Sequence, residues 1–394
     1  MKRKKILEQH PYKIWQGADG RWYTKVKSDG KLKILKKTNR DDLDDAIVAF
    51  YRKSDDKNTL AAIYPDWLQY KIAETSKGNA NKLQWVWAKY YKDSPIANRD
   101  IRTLKTRDIK LWLLDVTHSN ALDRKKYKEM KSLINMMLDY AVEDGTIVHN
   151  AAREIKNISD KHFNEPEEKS YDEQVFRLEV AEAVVDLCMA QFEKTGNSAY
   201  LGICLNFYLG LRVGEIVALK TSDFDLENHI VKIRRMERSK YYQDADNHIH
   251  RSGYEIVDFT KSKDGKRDLP LTPEAEDYVK TIIAHNKSID SASAEWLFLS
   301  LKGEKLTKDS INNVLRRINK KLDIIQKGNH SIRKTALSNL FKNGFTEEEV
   351  RQFAGHKDAS TTHKYYEFAN PDGKKDIARY SNALHINCHS KQAS

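Results

Sequence analysis

The sequence predicts a mainly α-helical chain with small β-sheets, laid out in three segments. Three observations carry this. Near the N-terminus, short runs of alternating residues are separated by turn residues; in the middle, apolar residues recur at helical spacing; the longer last stretch is helical runs broken by strand-like pieces. At 394 residues the chain is too long for one ordinary core, so two or three domains follow.

Residues 12–15, 21–26 and 31–36 alternate in character and are separated by Gly17 to Gly20 and by Ser28-Asp29-Gly30, the pattern of a three-stranded meander. After Thr38-Asn39, Leu43, Ala46, Ile47 and Phe50 stand at helical spacing, so a helix covers one sheet face and leaves the other basic and aromatic. From Thr59 to about Ile155 four helical runs follow. Their anchors are Ile63, Trp67 and Tyr70; Leu83, Val86, Trp87 and Tyr90; Ile109, Trp112 and Leu113; and Tyr127, Met130, Leu133, Ile134 and Met137, with Gly145 as the stop. The tryptophans and tyrosines here read as core. Residues 157–170 are polar, with Pro166 and Glu167-Glu168, and read as a linker. The remainder is one larger domain, with strands expected at 230–234, 254–257 and 268–271 and a long charge-rich loop at 237–252.

Charge narrows the partner. The chain carries 69 Lys plus Arg against 57 Asp plus Glu, a net +12, and residues 1–40 alone hold thirteen basic side chains against three acidic ones. A basic end interleaved with aromatics suits a polyanion, because each neutralised phosphate releases counterions. No stretch approaches the ~18 apolar residues of a membrane span and Met1 to Lys5 is not followed by an apolar signal core, so a cytoplasmic protein is expected. Cys188, Cys204 and Cys388 are scattered and form no CxxC pair, which argues against a disulfide framework or a structural zinc site.

The last segment offers the parts needed to cut a phosphodiester: cationic donors for the non-bridging oxygens, an acid for the leaving 5′ oxygen and a nucleophile. Leu209-Gly-Leu-Arg-Val-Gly-Glu215 sets Arg212 in a turn that opens a helix, where its guanidinium can hold a phosphate through two bonds. His330-Ser-Ile-Arg333 places His330 and Arg333 on one helix face. Gly355-His356 adds an imidazole after a glycine that permits close backbone approach. Residues 261–271, KSKDGKRDLPL, read as a lysine-rich β-turn entering a strand. Thr361-Thr-His-Lys-Tyr-Tyr366 supplies a hydroxyl that is nucleophilic where cations stabilise phenolate and phosphorane. Singly, each motif also fits a surface ion pair, a capping histidine, an exposed hairpin or a buried tyrosine pair.

The order Arg, Lys, HxxR, GH and then Tyr about ten residues later resembles the tyrosine recombinases of the phage-integrase family, most closely the integrases of conjugative transposons. Carried over position by position, the resemblance implies that Arg212, His330, Arg333 and His356 bind and activate the scissile phosphate. It implies Lys261 as general acid, with Lys263 the alternative, and Glu215 as a structural or activating partner of the arginine. Tyr366 would be the nucleophile, with Tyr365 at the neighbouring spacing. Ala354, where leucine is usual, and Glu367-Phe368 depart from the family pattern.

The resemblance further implies an arm-type DNA-binding domain at 1–55, with Arg21, Trp22, Tyr23, Lys25, Lys31 and Lys33 near the major groove. A helical, SAM-like core-binding domain would follow at 59–155, with Lys82, Lys89, Arg124, Lys125, Lys128 and Lys131 as candidate phosphate contacts. A linker at 156–170 would lead to a mixed α/β tyrosine-recombinase catalytic domain at 171–394, whose Ile377, Tyr380 and Leu384 would dock on a neighbouring protomer or pack in cis. The implied reaction integrates and excises a mobile element through a 3′-phosphotyrosine and a Holliday junction. It uses no metal or nucleotide cofactor, and is carried out by a homo-tetramer on two duplexes with DNA-bending accessory proteins as candidate partners. A DNA-binding regulator without chemistry and a type IB topoisomerase-like enzyme are the competing classes.

Overall fold

The computed structural model describes residues 3–28, 31–56, 58–156, 158–167, 170–258, 265–289, 293–357 and 362–363, with side chains except at 3–5, 28, 31 and 51–56. Contacts divide the chain into two units at residues 167 and 168, with the segment 241–251 grouped with the first. Among the described residues no helix is long and apolar enough to cross a membrane.

The first unit opens with a short helix, α1 (Arg3–Glu8), then the strands β1 (Ile14–Gln16), β2 (Trp22–Ser28) and β3 (Lys31–Lys37), then α2 (Arg40–Asp56). The strands form an antiparallel sheet in the order β1-β2-β3. Ser28 pairs with Lys31, Val26 with Lys33 and Thr24 with Leu35. Thr24 and Val26 are fully buried, as are Leu43 and Ile47 of α2. That fixes which side of the alternating strand meets the helix.

Four helical runs follow: α3 (Leu60–Glu74), α4 (Lys77–Val86) continued by a π-helical turn at Trp87–Tyr91, α5 (Thr106–Ser119) and α6 (Arg124–Glu143). The side chains of Thr59, Ser76 and Asp123 accept hydrogen bonds from the N–H groups of Ala62, Asn79 and Lys126, capping α3, α4 and α6 where unpaired donors would otherwise remain. Trp67, Ile109, Leu113, Met130, Leu133 and Ile134 are buried together, and the Tyr91 hydroxyl donates to the Met130 carbonyl at 2.7 Å. Most aromatic residues of this segment are buried or half-buried, as the spacing predicts, but Tyr70, expected as a core anchor, is exposed, as is Trp85.

From residue 171 the chain runs α7 (Tyr171–Gln174), α8 (Leu178–Thr195), α9 (Ala199–Leu209), α10 (Val213–Ile216), β4 (Phe224–Asp225), β5 (Ile230–Ile233), β6 (Arg235–Gln243), β7 (Ile249–Asp258), β8 (Arg267–Pro270), α11 (Pro273–Asn286), α12 (Lys308–Lys321), α13 (Asn329–Lys342) and α14 (Glu347–Ala354), all in the second unit except residues 241–251 of the β6–β7 stretch. α9 is apolar on every side and is packed by α8, α11, α12 and α13, as a helix without a polar face requires. A three-stranded antiparallel sheet, β4-β5-β8, buries Val231, Ile233 and Leu269 against this helical core.

One expectation is overturned here. The segment 237–252, read as a long loop, is strand: β6 and β7 pair as a two-stranded hairpin. In β6 one face is exposed and the other, carrying the mostly polar Glu237, Ser239 and Gln243, is buried or half-buried, so the sequence shows no hydrophobic alternation to reveal the strand.

Candidate active site

The site is assembled within the second unit around the end of α9. Gly210 ends that helix with φ +55, and Asn206, fully buried, accepts the Leu211 N–H at 2.8 Å and donates to the Leu211 carbonyl at 3.2 Å. The turn so fixed delivers Arg212 to the N-cap of α10, the helix opening read from the motif. Gly214 on α10 is required by close approach: a Cβ there would lie 2.5 Å from the Glu237 carbonyl oxygen of β6.

Arg333, on α13, is almost wholly buried and donates to the Gly210 carbonyl (2.8 Å), the Ala354 carbonyl (2.7 Å) and His356 Nε2 (2.9 Å). Arg212 Nη2 reaches the Gly355 carbonyl at 3.4 Å. Two guanidiniums from distant parts of the sequence therefore meet at the C-terminal carbonyls of α14, which Gly355 closes with φ +64. Helix C-termini carry partial negative charge, which favours cations at this point.

His356 is buried, and its ring is fixed at both nitrogens. Nε2 takes the Arg333 donor, so Nδ1 carries the proton and donates to the Thr362 hydroxyl at 2.9 Å. Burial, then the charges of Arg333, Arg212 and Arg267, push its pKa down to about 3 against a smaller opposing effect of Glu215, so the ring is neutral. His330, exposed on α13, also has a lowered pKa, through loss of hydration and then Lys334, Arg333 and Arg212.

Glu215 is fully buried and lies between two arginines. Oε1 accepts from Arg212 Nη1 at 2.8 Å; Oε2 accepts from Arg267 Nη2 at 2.9 Å and from the Arg212 N–H at 3.0 Å. Burial alone would raise this carboxyl, but Arg267, Arg212 and Arg333 outweigh it and hold the pKa at about 2. Since the ordinary value is 4.5, the stabilisation is fully present above about pH 4.5 and is lost as pH falls toward about 2. Glu215→Gln is therefore expected to lower stability at pH 7 by about 3 kcal/mol and to flatten its fall between about pH 5 and 3. Urea melts across that range would show it; an unchanged slope would assign the acid sensitivity elsewhere.

The structure thus brings Arg212, Arg333 and His356 together, with His330 on the same helix as Arg333. Lys261, Lys263, Tyr365 and Tyr366 lie outside the described residues, as do Ile377, Tyr380 and Leu384. Sequence reasoning missed Asn206, Thr362 and Arg267 as parts of this arrangement, although Thr362 and Arg267 stand inside the quoted motifs.

In the first unit the sheet register sorts the candidate DNA contacts by face. Tyr23 and Lys25 lie on the face away from α2, with Trp15, Lys27, Leu32, Ile34 and Lys36, which sequence reasoning missed; Trp15 stacks on Tyr23 at 5.7 Å. Trp22 and Lys33 lie on the other face: Lys33 pairs with buried Val26, and Arg40 of α2 sits over the Trp22 ring at 5.4 Å. The strand's alternation thus sets Trp22 and Lys33 on a different face from Tyr23 and Lys25. Arg21 is exposed just before β2, and Lys31 lies in β3. In the helical segment Lys125 and Lys128 are exposed and Lys89 covers the exposed Trp85 ring at 4.8 Å. Lys82 pairs with Glu129, and Arg124 with Asp160 and Glu165. Lys131 donates to the Ile155 carbonyl at 2.7 Å, a local structural bond that counts against its reading as a phosphate contact.

The sequence pattern of the phage integrase family matches residues 174–371. The chain is 25% identical over 293 residues to the transposase from transposon Tn916 of Enterococcus faecalis, covering 71% of this chain and 67% of that protein. It is 22% identical over 340 residues to a tyrosine recombinase XerC-like protein of Caldanaerobacter subterraneus subsp. tengcongensis, covering 83% and 84%. A structure of the Tn1549 transposon integrase with a circular intermediate DNA superposes with a TM-score of 0.63 at 18% identity, over 82% of this chain and 98% of that one. A lambda integrase tetramer bound to a Holliday junction gives 0.55 at 13% identity, over 92% and 97%. At these identities the structures speak to the fold, mainly helical with small sheets, as the sequence predicts.

Proposed function

The chain belongs to the phage integrase family and is a tyrosine recombinase, an enzyme that breaks and rejoins DNA; from that premise we propose how its residues divide the reaction. Tyr366 attacks the scissile phosphorus, forming a 3′-phosphotyrosine and releasing a 5′ oxygen that Lys261 protonates. Arg212 and Arg333 hold the non-bridging oxygens, with His330 and His356 completing the phosphate site. A 5′ hydroxyl from a partner strand then displaces the tyrosine. Bond energy is kept in the covalent intermediate, so the exchange needs no nucleotide. Two exchanges through a Holliday junction integrate or excise a mobile element.

The observation that supports this reading best is the meeting of Arg212, Arg333 and His356 at one helix end. The working assembly we propose is a homo-tetramer on two duplexes, in the cytoplasm on the nucleoid, with accessory proteins that bend the DNA. Residues 1–55 act as the arm-type domain, 59–155 as the core-binding domain, 156–170 as linker and 171–394 as the catalytic domain with its tail.

The test is a suicide duplex carrying an end of the encoding element, incubated with the full chain without divalent metal. A covalent protein–DNA adduct through the 3′ phosphate is expected. No adduct on a duplex the protein demonstrably binds would leave a DNA-binding regulator.

The arm sheet makes a separate prediction. Lys25→Ala or Lys36→Ala is expected to weaken binding to arm DNA and reduce the slope of log affinity against log salt by about 1, since each removes one phosphate contact. Lys33→Ala, on the helix side, is expected to leave the slope unchanged. Anisotropy titrations at several salt concentrations measure both; equal effects would mean that the open face does not meet the DNA.

A further inference from the structure

We infer that Arg267 is a positioning residue for the cleavage reaction: its charge offsets that of Glu215, leaving the charge of Arg212 for the scissile phosphate. The inference rests on the proposed role of Arg212.

Arg212 is held by a carboxylate it would otherwise be neutralised by. Its guanidinium bonds Glu215 Oε1 at 2.8 Å, and Glu215 is buried, so an isolated Arg212–Glu215 pair would present no net charge to an incoming phosphate. Arg267 changes that balance. Its side chain is only 7% exposed, and it meets the other Glu215 oxygen at 2.9 Å. Arg212, Arg267 and Glu215 together carry one net positive charge, and the partly exposed member of the three, the one a ligand can reach, is Arg212 at 39%.

Arg267 also has a geometric role. Nε donates to the Phe353 carbonyl at 2.7 Å and Nη1 to the Gly265 carbonyl at 3.2 Å, tying β8 to the end of α14 beside Gly355 and His356. The test must therefore separate charge from fork. Arg267→Lys keeps the charge, but an ammonium cannot reproduce the guanidinium's spread of bonds. Arg267→Gln removes the charge, and the double variant E215Q/R267Q removes both charges and restores the balance.

The measurements are single-turnover cleavage of the suicide duplex, duplex affinity and melting temperature, on the full chain, with Arg212→Gln as reference. R267Q is expected to cleave at least about a hundredfold more slowly with duplex affinity within about threefold. R267K and the double variant should stay within about tenfold of wild type. The inference fails if R267K or the double variant is as slow as R267Q, or if R267Q cleaves like wild type. Should R267Q not fold, R267K and the double variant decide against R212Q: matching its slow rate overturns the inference. An R212Q variant as fast as wild type would instead overturn the phosphate-binding reading itself.

Discussion

Tyr366→Phe is expected to abolish the covalent protein–DNA adduct, a loss of more than about a thousandfold, while Tyr365→Phe still forms it. No other group can replace a phenol oxygen that must bond to phosphorus, so loss of the nucleophile leaves at most strand binding. Between the two tyrosines, Tyr366 is preferred on the motif: it stands ten residues after His356 and follows the Thr361-Thr362 pair by the spacing that the resemblance to transposon integrases favours, whereas Tyr365 stands nine after His356. Adduct loss in Tyr365→Phe alone would move the nucleophile by one residue and keep the chemistry, whereas adducts in both variants would remove tyrosine from the reaction.

The parts of this molecule that could be read in advance are those whose spacing has one physical meaning. Trp67, Ile109, Leu113, Met130 and Leu133 recur at helical intervals and are core. Arg212 was legible because GLRxGE ties it to a helix start, and Arg333 because HxxR sets it one turn from His330 on a helix; the structure has Arg212 at the N-cap of α10 and both HxxR residues on α13. The sheet was legible as three strands but not as two faces, since alternation alone does not say which parity is buried. The register supplies the answer: pairing Ser28 with Lys31 pairs Val26 with Lys33 and puts Lys33 beside buried Val26. The β6–β7 hairpin left no trace, because the covered face of β6 carries polar side chains such as Glu237, Ser239 and Gln243. Arg267 was hidden for another reason. It reads as one more lysine-turn cation, and only folding brings it to a carboxylate 52 positions away.

Arg333→Met is expected to lose both cleavage, by about a thousandfold or more, and about 3–5 kcal/mol of stability. The two losses have one cause. Arg333 is 1% exposed and its bonds to Gly210, Ala354 and His356 join the end of α9 to the end of α14, so removing its guanidinium strands buried acceptors on both. In a unit of this size that is a fall in melting temperature of about 10 °C, visible by calorimetry. Arg333→Lys, with charge but fewer bonds, should fall between. The same substitution removes the positive charge that, after burial, does most to depress His356, so the imidazole pKa should rise in Arg333→Met. Histidine titration by NMR reads that directly. A variant that loses cleavage while its melting temperature and His356 titration stay at wild-type values would mean that Arg333 serves the phosphate alone and that other contacts hold the two helix ends together.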